Sequence, residues 1–138
     1  MSKINDHKSL KELTRAEEEV MQVLWALGKG FAKDVLKELN DKRSENDKLA
    51  YNTVSTIIRI LEEKGFVGHK AYGKTHEYFP LVEKSNYSNF FLNNFMGKYF
   101  GGSFQSMVSF FVKQNNVDLK EMEDLMKHVE SDLKSDEA

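Results

Sequence analysis

The stretch 49–80 reads LAYNTVSTIIRILEEKG and then FVGHKAYGKTHEYFP, and its two halves obey different periods. In the first half Val54, Ile57, Ile58 and Leu61 recur at three and four residues, which predicts a helix over about 51–64 with one apolar stripe. The other side of that helix carries Asn52, Thr53, Ser55, Thr56 and Arg59. A face built only for water commonly pairs Lys with Glu at i,i+4. Short amides and hydroxyls with a single Arg match instead the donors and acceptors on base edges in a DNA major groove. A plain exposed helix surface is the competing reading. Gly65 ends the helix, and 66–79 alternates as a hairpin with Gly73-Lys74 at its turn and Pro80 closing the second strand. Phe66 and Val67 are both apolar, so alternation alone leaves the register open.

Charge gathers on the hairpin. Between residues 64 and 76 Lys64, Lys70 and Lys74 stand with His69 and His76 and no acid. Tyr51, Lys70, Lys74 and His76 are therefore the candidates for the DNA backbone, with Asn52, Thr53, Ser55, Thr56 and Arg59 as the candidates for base contact. For any one hairpin residue, a solvated edge that discourages strand pairing explains the charge equally well. The whole chain, at net −2, does not advertise a nucleic-acid binder. Residues 1–80 hold 14 Lys/Arg against 13 Asp/Glu, and residues 81–138 hold 6 against 9, so the slight positive excess lies on the N-terminal side.

Upstream, Thr14-Arg15-Ala16-Glu17 is a capping-box pattern that opens a helix. Ala16, Val20 and Leu24, with Met21 and Trp25, follow at i,i+4, and Gly28 stops it. Trp25 belongs to the core on this reading. A second helix over about 32–39 buries Val35, Leu36 and Leu39, and NDKRSEND at 40–47 is a connector too polar to pack. Three helices and a hairpin make a small complete domain.

Downstream the composition changes, with no acid between Glu83 and Asp118. Phe91, Leu92, Phe95, Met96 and Tyr99 form one helical stripe, broken by Gly101-Gly102, and Phe104, Met107, Val108 and Phe111 form another. Asp118-Leu119-Lys120-Glu121 resembles a further capping box, opening a helix through Met122, Leu125, Met126 and Val129 before a tail, SDLKSDEA, that should fray. So many aromatics exceed what about 55 residues can bury alone, and a second copy is the simplest cover. Phe91, Phe95, Tyr99, Phe104, Met107, Phe111 and Leu125 are the dimerisation candidates. A membrane-surface helix is the rival, but Asn93, Asn94 and Lys98 interrupt the stripe without a dense basic face.

Other classes find little support. No apolar run approaches the roughly 20 residues that span a bilayer, and the polar N-terminus with Lys3, Asp6 and Lys8 is not a secretory signal, so no membrane insertion is expected. Cysteine is absent, which removes disulfides and thiolate sites and fits a cytoplasmic location. His69 and His76 could approach across the hairpin, but no third metal ligand stands at suitable spacing. There is no Gly-rich phosphate loop, no H-E-x-x-H and no serine elbow, so neither enzyme nor cofactor is expected. A winged helix used for protein contacts, without DNA, is the main alternative; a small metal enzyme built on the two histidines is the second.

LTRAEEEVMQVLW, LAYNTVSTIIRILEEKGFV, EYFPLVEKS and the Gly101-Gly102 break before SMVSFFV, in that order, resemble the penicillinase-repressor (BlaI/MecI/CopY) family of winged-helix regulators over about residues 13–129. The resemblance implies a mostly α fold with a small β-hairpin wing: an N-terminal winged helix-turn-helix and a C-terminal helical dimerisation region. The expected divisions are a flexible N-terminus at 1–11, a DNA-binding domain at 12–81, a dimerisation domain at 82–133 and a disordered tail at 134–138. It further implies a homodimeric repressor on an inverted-repeat operator of the TACA/TGTA type. Ser55 stands where other members carry a long basic side chain, so the operator can differ. In one branch a membrane sensor metalloprotease triggers cleavage in the dimerisation helices. The matching bond here is Phe110–Phe111, where Phe110 replaces an Asn. Copper sensing through paired Cys-x-Cys motifs is ruled out.

Replacing Phe95 or Phe111 by Glu should leave monomers in analytical sedimentation; variants that still sediment as dimers would displace the interface from these stripes.

Overall fold

The computed structural model describes residues 10–137, so most of the N-terminus expected to be flexible lies outside the described residues. Helix α1 (Arg15–Leu27) is followed by β1 (Gly30–Phe31), α2 (Ala32–Asp41), a single 3-10 turn (Glu45–Asp47) and α3 (Tyr51–Glu63). Strands β2 (Val67–Tyr72) and β3 (Thr75–Pro80) make the hairpin, and α4 (Lys84–Phe100), α5 (Phe104–Gln114) and α6 (Leu119–Glu137) complete the chain. The helix that the sequence places at about 51–64 is α3, and the hairpin turns at Gly73-Lys74, where Gly73 takes a φ of +64°.

The sheet has one strand more than the sequence reveals. Its order is β1-β3-β2, all antiparallel, with Gly30 opposite Tyr78 and Phe31 opposite Glu77. Two residues are too few to show a period of two, which is why β1 escapes detection. The hairpin register sets Val67 opposite Pro80, His69 opposite Tyr78 and Tyr72 opposite Thr75. Phe66 lies before the strand, in the turn out of α3, with its N–H donating to Leu61 O at 2.9 Å. Phe66 and Val67 can therefore both face the core, and the broken alternation is explained.

The core of the first unit joins Val20, Met21 and Leu24 of α1, Val35 of α2, and Val54, Ile58 and Leu61 of α3, all fully buried. Ala16, assigned to the buried stripe of α1, is exposed instead, and Glu17 beside it is only 5% exposed. The capping box explains the change. Thr14 N–H donates to Glu17 Oε1 at 2.9 Å and Glu17 N–H donates to Thr14 Oγ1 at 3.2 Å, which turns the carboxylate inward. There it receives Lys64 Nζ from the end of α3, at 2.9 Å to Oε1 and 2.8 Å to Oε2.

The connector at 40–47 packs more than its polarity suggests. Asn40 brackets the backbone of Leu49: its Nδ2 donates to Leu49 O at 3.1 Å and its Oδ1 accepts from Leu49 N–H at 2.8 Å. Arg43 reaches back to Glu19 at 3.1 Å. A polar segment is held here by hydrogen bonds rather than by apolar burial.

The described residues form two compact units, dividing between Phe91 and Leu92. The early turns of α4 thus belong with the winged unit. Tyr87 is the reason: it is 4% exposed, accepts from Leu13 N–H at 2.8 Å through its hydroxyl, and packs edge-on to Phe66 at 5.7 Å. Trp25 seals the same seam, its Nε1 donating to Val82 O at 2.9 Å. Phe91, a dimerisation candidate, touches Tyr87 at 6.3 Å within this first unit.

In the second unit, Phe95 packs on Tyr99 at 4.9 Å and Phe100 on Phe110 at 5.5 Å. No residue of α5 or α6 is buried. Tyr99 is 70% exposed and Phe104 67%; Phe111 and Leu125 are exposed too, while Met107 is half-covered. The Phe110–Phe111 bond lies inside α5. Helix α6 starts on the expected capping box, Glu121 N–H donating to Asp118 Oδ1 at 2.8 Å. It runs on to Glu137, through the tail expected to fray, with an i,i+4 contact of His128 to Asp132 at 3.3 Å.

The Glu17–Lys64 pair generates a pH prediction. Burial raises the Glu17 pKa, but hydrogen bonds from Lys64 and from the Thr14 backbone outweigh it, leaving the group below its ordinary value of 4.5. A depressed carboxylate stabilises the fold above its unfolded pKa and loses that contribution as pH falls through the folded one. Glu17→Gln should therefore cost on the order of 1–3 kcal/mol at neutral pH. The gap from the parent protein should close on acidification below about 4.5. Urea unfolding at a series of pH values measures both.

Candidate nucleic-acid interface

Helix α3 separates its faces sharply. Val54, Ile58 and Leu61 are fully buried and Ile57 is half-buried, while Tyr51, Asn52, Thr53, Thr56 and Arg59 are exposed and Ser55 is partly covered. The sequence-predicted base-contact candidates therefore share one accessible surface. At 100° per residue all but Thr53 fall into two neighbouring rows. Tyr51, Ser55 and Arg59 follow i,i+4,i+8 on the side nearer the hairpin, Asn52 and Thr56 form the next row, and Thr53 stands beyond it at the far edge of the exposed surface. Arg59 Nη2 donates to Thr56 Oγ1 at 3.3 Å and so links the rows.

The beginning of α3 carries no carboxylate. In α1 Glu17 answers the helix-start amide of Thr14, and in α2 Asp34 accepts from Phe31 N–H at 2.9 Å. Helix α3 begins after Ala50, with no side-chain cap and no acid in its first turn. Its start is electropositive and unopposed.

Between α3 and the hairpin lies a groove of about 440 Å³. Tyr51, Ser55 and Arg59 line it from α3, Lys33 from the first turn of α2, Lys74 from the hairpin turn, and Tyr78 from β3. Its lining contains no Asp or Glu. Burial first, and then the nearby Glu62 charge, push the Tyr78 hydroxyl above its ordinary pKa, so it stays a neutral donor. Lys33 is a residue that sequence reasoning missed. Some forty positions separate it from the hairpin, and the packing of α2 on α3, together with the pairing of β1 with β3, brings it to the groove.

The cluster read between residues 64 and 76 does not act as one patch. Lys64 is drawn away to Glu17, which removes it from the basic set. Lys70 lies over the Tyr72 ring at 5.3 Å, and Tyr72 packs on Phe31 at 6.0 Å. His76 lines the groove and stacks on His69 at 4.0 Å between ring centroids, while His69 Nδ1 meets Glu62 Oε2 at 2.6 Å. Lys74 remains at the exposed tip. Among the described residues no group of three His, Cys, Asp or Glu is placed to hold a metal, and no helix is long and apolar enough to cross a membrane.

Three helices, a three-stranded antiparallel sheet and a basic-tipped hairpin beside the exposed face of the third helix define the winged-helix class. The hsRosR-S4 complex structure shares this fold, with a TM-score of 0.53 and 16% identity, across 94% of this chain and 96% of that one. The penicillinase repressor family model matches residues 13–131. The methicillin resistance regulatory protein MecI of Mammaliicoccus sciuri is 32% identical over 114 residues, covering 83% of this chain and 89% of its own. The penicillinase repressor of Bacillus licheniformis is 27% identical over 123 residues, covering 89% and 93%. This chain belongs to the penicillinase repressor family, whose members are transcriptional repressors and not enzymes.

Asn40 controls where α3 starts, because it holds both backbone groups of Leu49 two residues before that helix. Asn40→Ala leaves them unpartnered in a partly buried place and should cost about 1–2 kcal/mol, read as a lowered urea midpoint at unchanged slope.

Proposed function

We propose that this protein is a homodimeric transcriptional repressor of the cytoplasm that binds double-stranded DNA at an inverted-repeat operator. The observation that carries this is the face of α3: uncharged donors and acceptors without packing duties, on a helix whose start is left electropositive, beside an acid-free groove. Asn52, Thr53 and Thr56 enter the major groove and read base edges, while the wing lies along the phosphate backbone through Lys70 and Lys74. Family membership supports repression.

Dimerisation is the second half of the reading. The 82–133 region leaves Phe95, Tyr99, Phe104, Phe111 and Leu125 exposed in a single chain, and a second copy covers them. Two-fold symmetry then requires a dyad operator whose half-sites lie about 34 Å apart. Each half-site contact is modest, and linkage of two raises affinity through effective concentration. Any signal that opens the aromatic interface releases DNA without touching a DNA contact. A membrane sensor metalloprotease system is the partner by which relatives would do this, with Phe110–Phe111 as the matching bond in this chain.

The test is a footprint of the purified protein on DNA upstream of its own gene, at two salt concentrations. A protected two-fold symmetric site that fades with salt is the expected result. Asn52→Ala and Thr56→Ala should each cost on the order of 1–3 kcal/mol on that site and leave random DNA unaffected. No protection by a folded dimer would point to a winged helix that binds protein.

A further inference from the structure

We propose that the groove between α3 and the wing seats a phosphodiester of the bound duplex, so that Arg59 and Ser55 anchor the backbone and do not read bases. The inference rests on the DNA-binding reading and divides its α3 surface into two functions. Three elements far apart in sequence bring Lys33, Arg59 and Lys74 to the lining of one groove. Gathering like charges is unfavourable unless something anionic answers them, and no carboxylate lines the groove.

Elsewhere in the winged unit several cations are answered directly by carboxylates. Lys29, Lys37, Arg43, Lys48 and Lys64 each have a carboxylate oxygen within 4 Å, at Glu77, Asp41, Glu19, Glu45 and Glu17. Among the described residues Lys33, Arg59 and Lys74 have no such ion pair. Arg15, Lys42 and Lys84 lack an ion pair among the described residues as well, but they line a cleft together with Glu19 and Glu38, whereas Lys33, Arg59 and Lys74 share a groove that no carboxylate lines. Arg59 also lies about 12 Å along the helix axis from Tyr51, in the third turn, at eight residues and 1.5 Å each. Base readers of a docked recognition helix cluster near its N-terminus. The bond from Arg59 Nη2 to Thr56 Oγ1 orients the guanidinium and leaves its remaining donors for a phosphate oxygen. The Tyr51 and Ser55 hydroxyls supply neutral donors in the same groove.

Lys33→Gln, Arg59→Gln and Lys74→Gln test the assignment, because all three residues are exposed and their loss leaves the core intact. Binding to a random-sequence duplex and to the footprinted operator is measured over a salt series, with Asn52→Ala for comparison. Each phosphate contact contributes a slope of about 0.9, so each Gln variant should weaken binding roughly eightfold at about 0.1 M salt. The loss should be equal on both duplexes, with the slope reduced by about one. Asn52→Ala should weaken the operator alone and keep its slope. An Arg59→Gln loss confined to the operator would make Arg59 a base reader and overturn the assignment. Unchanged slopes in all three Gln variants, with the parent protein binding duplex normally, would overturn it while sparing the repressor reading. A folded parent protein that binds neither duplex would overturn both.

Discussion

A single carboxylate ties the winged unit together. Glu17 closes the first turn of α1 on Thr14 and at the same time holds Lys64 at the end of α3 through both of its oxygens. Two helices far apart in the chain are thereby fixed end to end, with apolar side chains filling the space between them. Burying one charge alone would be strongly unfavourable, and burying it with a partner and a helix cap is tolerable. The Lys64 ammonium reaches the pair from a partly exposed position, so only one of the two charges is fully withdrawn from water. The buried face of α3, through Val54, Ile58 and Leu61, seats the helix, and the Glu17–Lys64 contact and the Asn40 bracket pin its two ends.

What could be read from sequence follows from how each signal is encoded. The three helices of the winged unit show themselves because apolar residues repeat at three and four, and caps mark their ends. The hairpin shows itself through Gly73 and Pro80. Glu17 was legible as a capping residue, yet not as half of an ion pair, because its partner lies forty-seven positions away. The same blindness made Lys64 look like part of a basic hairpin and hid Lys33 from the groove that it lines. Local pattern predicts which residues share an element face. It does not predict which distant charge cancels which.

The second unit has the opposite character. Its helices are regular and its aromatics pair within short reach, but none of α5 or α6 is buried. Along α6, Leu119, Met122, Met126, Val129 and Leu133 recur at alternating steps of three and four, and all but the partly covered Met122 are exposed in one chain. The winged unit satisfies its own apolar stripes, and this unit does not. That asymmetry supports the proposed division of labour, in which one part folds on itself and the other requires a second copy.

The face of α3 described above carries almost no packing. Substitutions on an exposed helix surface usually change stability by less than about 0.5 kcal/mol. Asn52, Thr53 and Thr56 are therefore nearly free of the fold, and on the proposed reading the DNA is what constrains them. A lineage built on this frame can acquire a new target by drift at three positions, without first accumulating spare stability to survive the change. Regulators of this construction should diversify quickly in what they recognise while their interiors stay recognisably the same.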